Sequence, residues 1–154
     1  MRVCSTLKEK NMRYMLIVYP KNYLTAEAGW LPDLDDKGAP DFAEELQKAG
    51  VLVTLTGLTP PATMSARLTL ENGKVKVIDG PFPEAKEVIG GVWIIDVKSR
   101  EEALKWASRI PGPGSEMVEV RRLFDASDFG AEAQQKLAEF DKQVNETAQK
   151  MVPQ

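Results

Sequence analysis

The apolar run Tyr14-Met15-Leu16-Ile17-Val18-Tyr19 follows Arg13 and stops at Pro20. A continuous run of this length predicts a strand over 13–19 that is buried on both faces, and so central in its sheet. From Asn22 to Pro40 neither the helical nor the strand period is present, and Gly, Pro and Asp punctuate the chain. Periodicity returns at Asp41. Phe42, Leu46 and Ala49 share one helical face, acids occupy the first turn, and Gly50 stands where a left-handed C-cap belongs, which predicts a helix over 41–50.

Val51 to Thr56 is rich in β-formers and ends at Gly57 and the Pro60-Pro61 pair, a second strand. Arg67–Glu71 and Lys74–Ile78 both alternate around Asn72-Gly73, the strongest short hairpin signal, with Glu71 and Lys74 opposed across the turn. Gly91–Val97 is again continuously apolar. Ser99 and Glu102 have capping-box spacing and start a helix whose buried face is Ala103, Leu104, Ala107 and Ile110, stopped by Pro111-Gly112-Pro113-Gly114. Met117–Leu123 alternates as a strand with Glu119 and Arg121 on one face. After a Ser127-Asp128 start, Ala133, Leu137, Phe140, Val144, Ala148 and Met151 recur every three or four residues as the stripe of a last amphipathic helix. That stripe either covers its own domain or pairs with a partner helix.

With the hairpin set aside, the order is strand, helix, strand, strand, helix, strand. This is an α+β, ferredoxin-like βαββαβ sandwich with an inserted β-hairpin and a C-terminal helix. Both helices then cover one face of the sheet, and a homodimer meeting through sheets, hairpins or the last helix would cover the other. Residues 1–11 are expected to be a disordered N-terminal extension, with Met12 as the functional start, 12–129 the domain and 130–154 the C-terminal helix.

Composition narrows the function. A net charge of −3 from 20 bases and 23 acids offers no basic face for nucleic acid. No apolar run reaches the roughly 20 residues of a membrane helix, so a soluble, cytoplasmic protein is expected. Cys4 is the single cysteine, which excludes an internal disulfide and a multi-thiolate metal site. There is no histidine. Acid–base work must therefore fall to carboxylates, lysine or tyrosine, and neither a metal nor a cofactor is expected.

The dense chemistry lies between Lys76 and Gly91, where the hairpin exits through Asp79-Gly80-Pro81-Phe82 into Glu84, Lys86 and Glu87. Two roles are open to Asp79. It can accept backbone N–H bonds across the turn, or it can lie in a partly apolar cleft beside Phe82 and Trp93 and accept a proton from a substrate. Glu84 and Glu87 would share a face in a helical turn, with Lys86 pointing elsewhere. Lys86 or Arg121 would hold an anionic ligand while a carboxylate moves the proton, with Asp79 and Glu87 as the catalytic candidates. Phe82 either plugs the core or lines the mouth of a pocket. Trp30, Trp93 and Trp106 are expected in the core or an interface.

Asp79-Gly80-Pro81-Phe82, Glu84, Lys86-Glu87, Gly90-Gly91, Glu101-Glu102-Ala103, Trp106-Ala107, Pro111 and Glu119-Val120-Arg121, in that order, resemble the DGPF branch of the YCII-related proteins from about Met12 to Phe129. The resemblance implies a bacterial, usually dimeric, ferredoxin-like domain. Genes of the branch often neighbour or fuse to extracytoplasmic-function sigma factors, which makes a sigma-factor-related protein a partner to weigh. The wider group's His-Asp pair has no counterpart in a chain without histidine. Two functions follow: a binder of a small, anionic molecule beside Asp79 with isomerase- or lyase-like proton transfer, or a non-enzymatic accessory dimer of a sigma-factor system.

Overall fold

A computed structural model describes residues 10–33, 37–112 and 117–150, without the side chains of 148–150. Cys4 and nearly all of the expected extension, the Pro113-Gly114 end of the helix stop, Met151 and the Ala148 side chain lie outside the described residues. The chain forms two compact units that divide between Arg122 and Leu123.

In the first unit, β1 (Met12–Tyr19), α1 (Gly38–Lys48), β2 (Leu52–Gly57), β3 (Ala66–Glu71), β4 (Lys74–Asp79), β5 (Gly91–Val97), α2 (Arg100–Ala107) and β6 (Met117–Arg122) follow one another. Four of the strands make one antiparallel sheet in the order β2-β5-β1-β6, while β3 and β4 pair only with each other. The two continuously apolar segments are thus the two inner strands. This α+β arrangement is compatible with a ferredoxin-like fold.

Strand alternation divides the sheet into two unlike faces. Tyr14 and Leu16 of β1 stand opposite Ile95 and Trp93 of β5, and this face buries Phe42 and Leu46 of α1 and Ala103 and Ala107 of α2. Phe42 meets Trp93 edge-on at 5.2 Å and Trp106 at 6.1 Å, so two of the three tryptophans join the core, as expected. Leu104 was expected inside but is exposed, because α2 is short and its buried stripe narrows to two alanines. The opposite face carries Met15, Ile17, Val92 and Ile94 at its centre and Glu119 and Arg121 on β6.

Local signals behave as their chemistry requires. Gly50 has φ +70 after α1, and Asn72 and Gly73 have φ 49 and 76, both positive as a two-residue hairpin turn demands. Ser99 Oγ accepts from the Glu102 N–H at 3.1 Å, while the Glu102 carboxylate reaches back one residue further than the usual box, to the Lys98 N–H at 3.0 Å. The β3–β4 ribbon is less usual. Leu68, Leu70, Val75 and Val77 lie on one side of it and are between 58% (Val77) and 73% (Leu70) exposed.

The second unit holds a short 3-10 turn, Ala126–Asp128, and α3, Ala131–Lys150. The capping box here is Asp125 with Asp128, so Ser127-Asp128 belongs to the turn and not to the start of the long helix. Along the α3 stripe Ala133 and Leu137 are half-buried, while Phe140 and Val144 are exposed. Among the described residues no helix is long and apolar enough to cross a membrane.

Leu46, fully buried under the sheet, is expected to cost about 2–5 kcal/mol of stability when truncated in Leu46→Ala. Urea denaturation with an unchanged m-value checks this.

Candidate functional site

The ribbon returns the chain to the sheet at Asp79, and the reversal that follows is built on Gly80. Its N–H donates to the Ser65 carbonyl at 2.7 Å. A Cβ at this position would lie 2.1 Å from the Pro61 carbonyl oxygen, so only glycine lets the turn lie against the 61–65 loop. The Gly80-Pro81 peptide is cis. Beyond it the Ala85 N–H donates to the Phe82 carbonyl at 2.9 Å, closing one isolated turn. Residues 82–87 contain no helix, so the shared helical face expected for Glu84 and Glu87 does not form.

Packing this turn against β1 and the 58–65 loop leaves a cleft of about 470 Å³. Tyr19, Ser65, Arg67, Phe82 and Glu87 line it, with Leu58 and Ile89 supplying apolar surface. Arg67, on β3, lays its guanidinium 3.9 Å from the centre of the Phe82 ring. Its other neighbour is the Glu84 carboxylate at 3.7 Å, a loose and exposed pair of little energetic weight. A guanidinium over an aromatic face can still turn N–H groups to a planar anion, which would compete with the loose Glu84 pair.

Tyr19 is the last residue of β1, and its hydroxyl donates to Glu119 Oε2 at 3.0 Å. Arg121 Nε stands 3.6 Å from the other oxygen of that carboxylate. Register accounts for the grouping: Ile17 pairs with Glu119 and Met15 with Arg121, so Tyr19, Glu119 and Arg121 all emerge on the face away from the helices. The hydrogen bond to Glu119 raises the Tyr19 phenol above its ordinary value of 10.0. Loss of hydration and the negative charges of Glu119 and Glu87 add to this, while Arg121 opposes it. Glu87 and Arg121 thus both act on Tyr19, and the cleft and the β6 charges form one electrostatic neighbourhood.

The structure brings Phe82 and Glu87 into the cleft wall, while Arg121 lies outside the wall and is linked to it only through Glu119, which accepts from the Tyr19 hydroxyl. Glu84 touches the site only through Arg67, and Lys86 is exposed and absent from the wall. Asp79 is exposed at the end of β4 and outside the wall. Among the described residues its carboxylate has no hydrogen-bond or ion-pair partner, and the backbone acceptor at the turn is the Ser65 carbonyl. Trp93 packs in the core and not beside Phe82. Sequence reasoning missed Tyr19, Arg67 and the role of Glu119. The alternation of Glu119 and Arg121 on β6 was the available signal, but pairing them with Tyr19 requires the strand order. Among the described residues no group of acids and cysteine is placed to hold a metal ion.

The YCII-related domain model matches residues 12–127, which include the whole four-stranded sheet and the cleft. The chain belongs to the YCII-related family. An uncharacterised protein of Rhizobium meliloti (strain 1021) is 32% identical over 117 residues, covering 73% of this chain and 92% of that protein. In this YCII-related domain the cleft combines one stacked cation, one lining carboxylate and a phenol whose proton is already engaged, a set suited to gripping an anion and accepting a donor.

Two measurements bear on this geometry. Tyr19 favours its protonated form in the folded protein, so its contribution to stability is present below pH 10 and is lost as pH rises past that value. Phenolate absorbance, with Tyr19→Phe identifying the residue, is expected to show Tyr19 ionising later than an ordinary tyrosine, and Glu119→Gln to bring it back down. Gly80→Ala forces a Cβ into the Pro61 backbone and is expected to cost about 1–3 kcal/mol in chemical denaturation.

Proposed function

We propose that this protein binds a small anionic molecule in the cleft beside the Asp79–Phe82 turn, with Arg67 as the anchor. The observation that carries the reading is the Arg67 guanidinium stacked on Phe82 at the wall of a cleft that Glu87 and Tyr19 also line. A carboxylate or phosphate group would pair with the Arg67 guanidinium, displacing its loose contact with Glu84. Because the Tyr19 hydrogen is given to Glu119, the phenol oxygen offers a lone pair to a ligand hydroxyl or amine. Glu87 is the carboxylate from which proton transfer of an isomerase or lyase kind would run, since it alone of the predicted pair lines the wall. Asp79 is assigned to the margin, where its charge would repel misplaced anions.

The chain is proposed as a cytoplasmic, bacterial member of the DGPF branch, with the complete ferredoxin-like topology and a homodimeric assembly. Support for the dimer comes from the sheet face away from α1 and α2, where Met15, Val92 and Ile94 are half-buried around an already buried Ile17. Its centre is Met15, Ile17, Val92 and Ile94, and its margin carries Arg13 and Arg121 with Asp96 and Glu119. Both signs of charge around an apolar centre suit an isologous contact, in which each patch meets its own copy. A second reading, an accessory module that works by protein contact within a sigma-factor system, draws on the exposed apolar side of the β3–β4 ribbon.

Thermal-shift screening with small carboxylates and phosphate monoesters tests the leading reading. A ligand at a hundred times its Kd stabilises by about 2.7 kcal/mol, and Arg67→Gln is expected to weaken that ligand at least tenfold while Asp79→Asn retains it. Equal stabilisation of wild type and Arg67→Gln overturns the anchor. No hit from either class favours the protein-contact reading.

A further inference from the structure

A second cavity, of about 410 Å³, shares no lining residue with the cleft just described. It lies on the helix-facing side of the sheet, where Leu55 and Trp93 meet the segment after β1 that carries Tyr23 and Trp30. Its construction is specific. Tyr23 and Trp30 meet edge-on, with ring centres 5.4 Å apart and planes at 69°. A Cβ at Gly90 would fall 2.3 Å from Pro20 Cγ and 3.0 Å from the Tyr23 ring, so this wall closes only over glycine.

Among the described residues one polar atom in the wall is unsatisfied. Asn22 lines the cavity, and its Oδ1 is shut off from solvent with no hydrogen-bond partner. Partial burial raises the Tyr23 phenol above its ordinary 10.0, and its hydroxyl stays open to water, so the unmet acceptor is Asn22 alone. Native proteins rarely leave a buried amide oxygen unpaired, because the lost hydration is not returned. Among the described residues no lysine or arginine lines the cavity, so nothing there compensates an anion's lost hydration.

We propose that this cavity binds a flat aromatic or heteroaromatic molecule that carries an N–H or O–H donor. The ring lies among Tyr23, Trp30 and Trp93, where edge and face contacts favour an aromatic over an aliphatic guest. The donor is received by Asn22. A turn of the side-chain amide about its last torsion, which is soft, carries Oδ1 from the wall to the cavity, and no existing hydrogen bond of that oxygen is broken in doing so. Turned to the cavity, Oδ1 meets water in the empty state, and a guest that displaces this water without bringing a donor leaves the oxygen unpaired, which gives selectivity between molecules of equal shape.

Indole and 1-methylindole, which differ in one N–H, are suitable probes, titrated against the full chain by ligand-observed NMR. Indole is expected to bind roughly five- to tenfold more tightly than 1-methylindole, the ratio one net hydrogen bond supplies. Asn22→Leu is expected to remove that preference while retaining both ligands. Ala39→Trp, at an exposed position bordering the cavity, is expected to exclude both while circular dichroism shows the fold retained. Equal binding of the two probes to wild type overturns the proposal, as does the absence of any indole binding at millimolar concentration. The comparison on wild type stands even if a variant fails to fold.

Discussion

The interaction on which the rest depends is the burial of one side of two adjacent inner strands beneath two helices. Leu16, Trp93 and Ile95 come from β1 and β5, and Phe42, Leu46 and Ala103 from the helices above them. These residues carry large apolar area, and their removal from water is the main favourable term available to a domain of this size. Because side chains alternate along a strand, burying Leu16 settles the side on which every other residue of β1 emerges. Tyr19, three positions on, is thereby turned to the far face.

The charged neighbourhood follows from the same constraint. β6 adds to the free edge of β1 in the register that pairs Ile17 with Glu119, so Val118 and Val120 pack toward the core while Glu119 and Arg121 face away. The Glu119 carboxylate then lies within reach of the Tyr19 hydroxyl, although the two residues are a hundred positions apart in the chain. A slip of one residue would bury Arg121 and expose Val120, which the cost of an unpaired buried charge forbids. The site is in this sense a by-product of hydrophobic register, completed by a turn that only Gly80 permits.

The ribbon and the segment after β1 stand apart from this logic. Leu68, Leu70, Val75 and Val77 alternate as regularly as any core strand, yet they line a two-stranded element with no sheet to join. Alternation specifies that one side is apolar and leaves open what covers it. The segment between Asn22 and Pro40 has no period at all, but Asn22, Tyr23, Trp30 and Pro32 from it stand in the wall of a cavity, through single contacts such as Tyr23 with Trp30. Contacts of that kind have no repeat and leave no trace in a periodicity.

By itself the sequence determined the elements, the inner strands, the Asn72-Gly73 turn and the family, because each rests on short-range properties: apolar period, backbone freedom at glycine, capping chemistry and an ordered motif. The absence of histidine likewise excluded whole classes of chemistry with no reference to the fold. What only the tertiary structure decided is which charged groups meet. Asp79, prominent in the motif, remains exposed at a strand end, while Tyr19 and Arg67, drawn from two strands, line one cleft with Phe82 and Glu87, and Glu119 from a third strand joins through the Tyr19 hydroxyl. Proximity between distant segments is set by strand order and register, and those are fixed by the packing of the whole apolar face, which no local stretch of sequence contains.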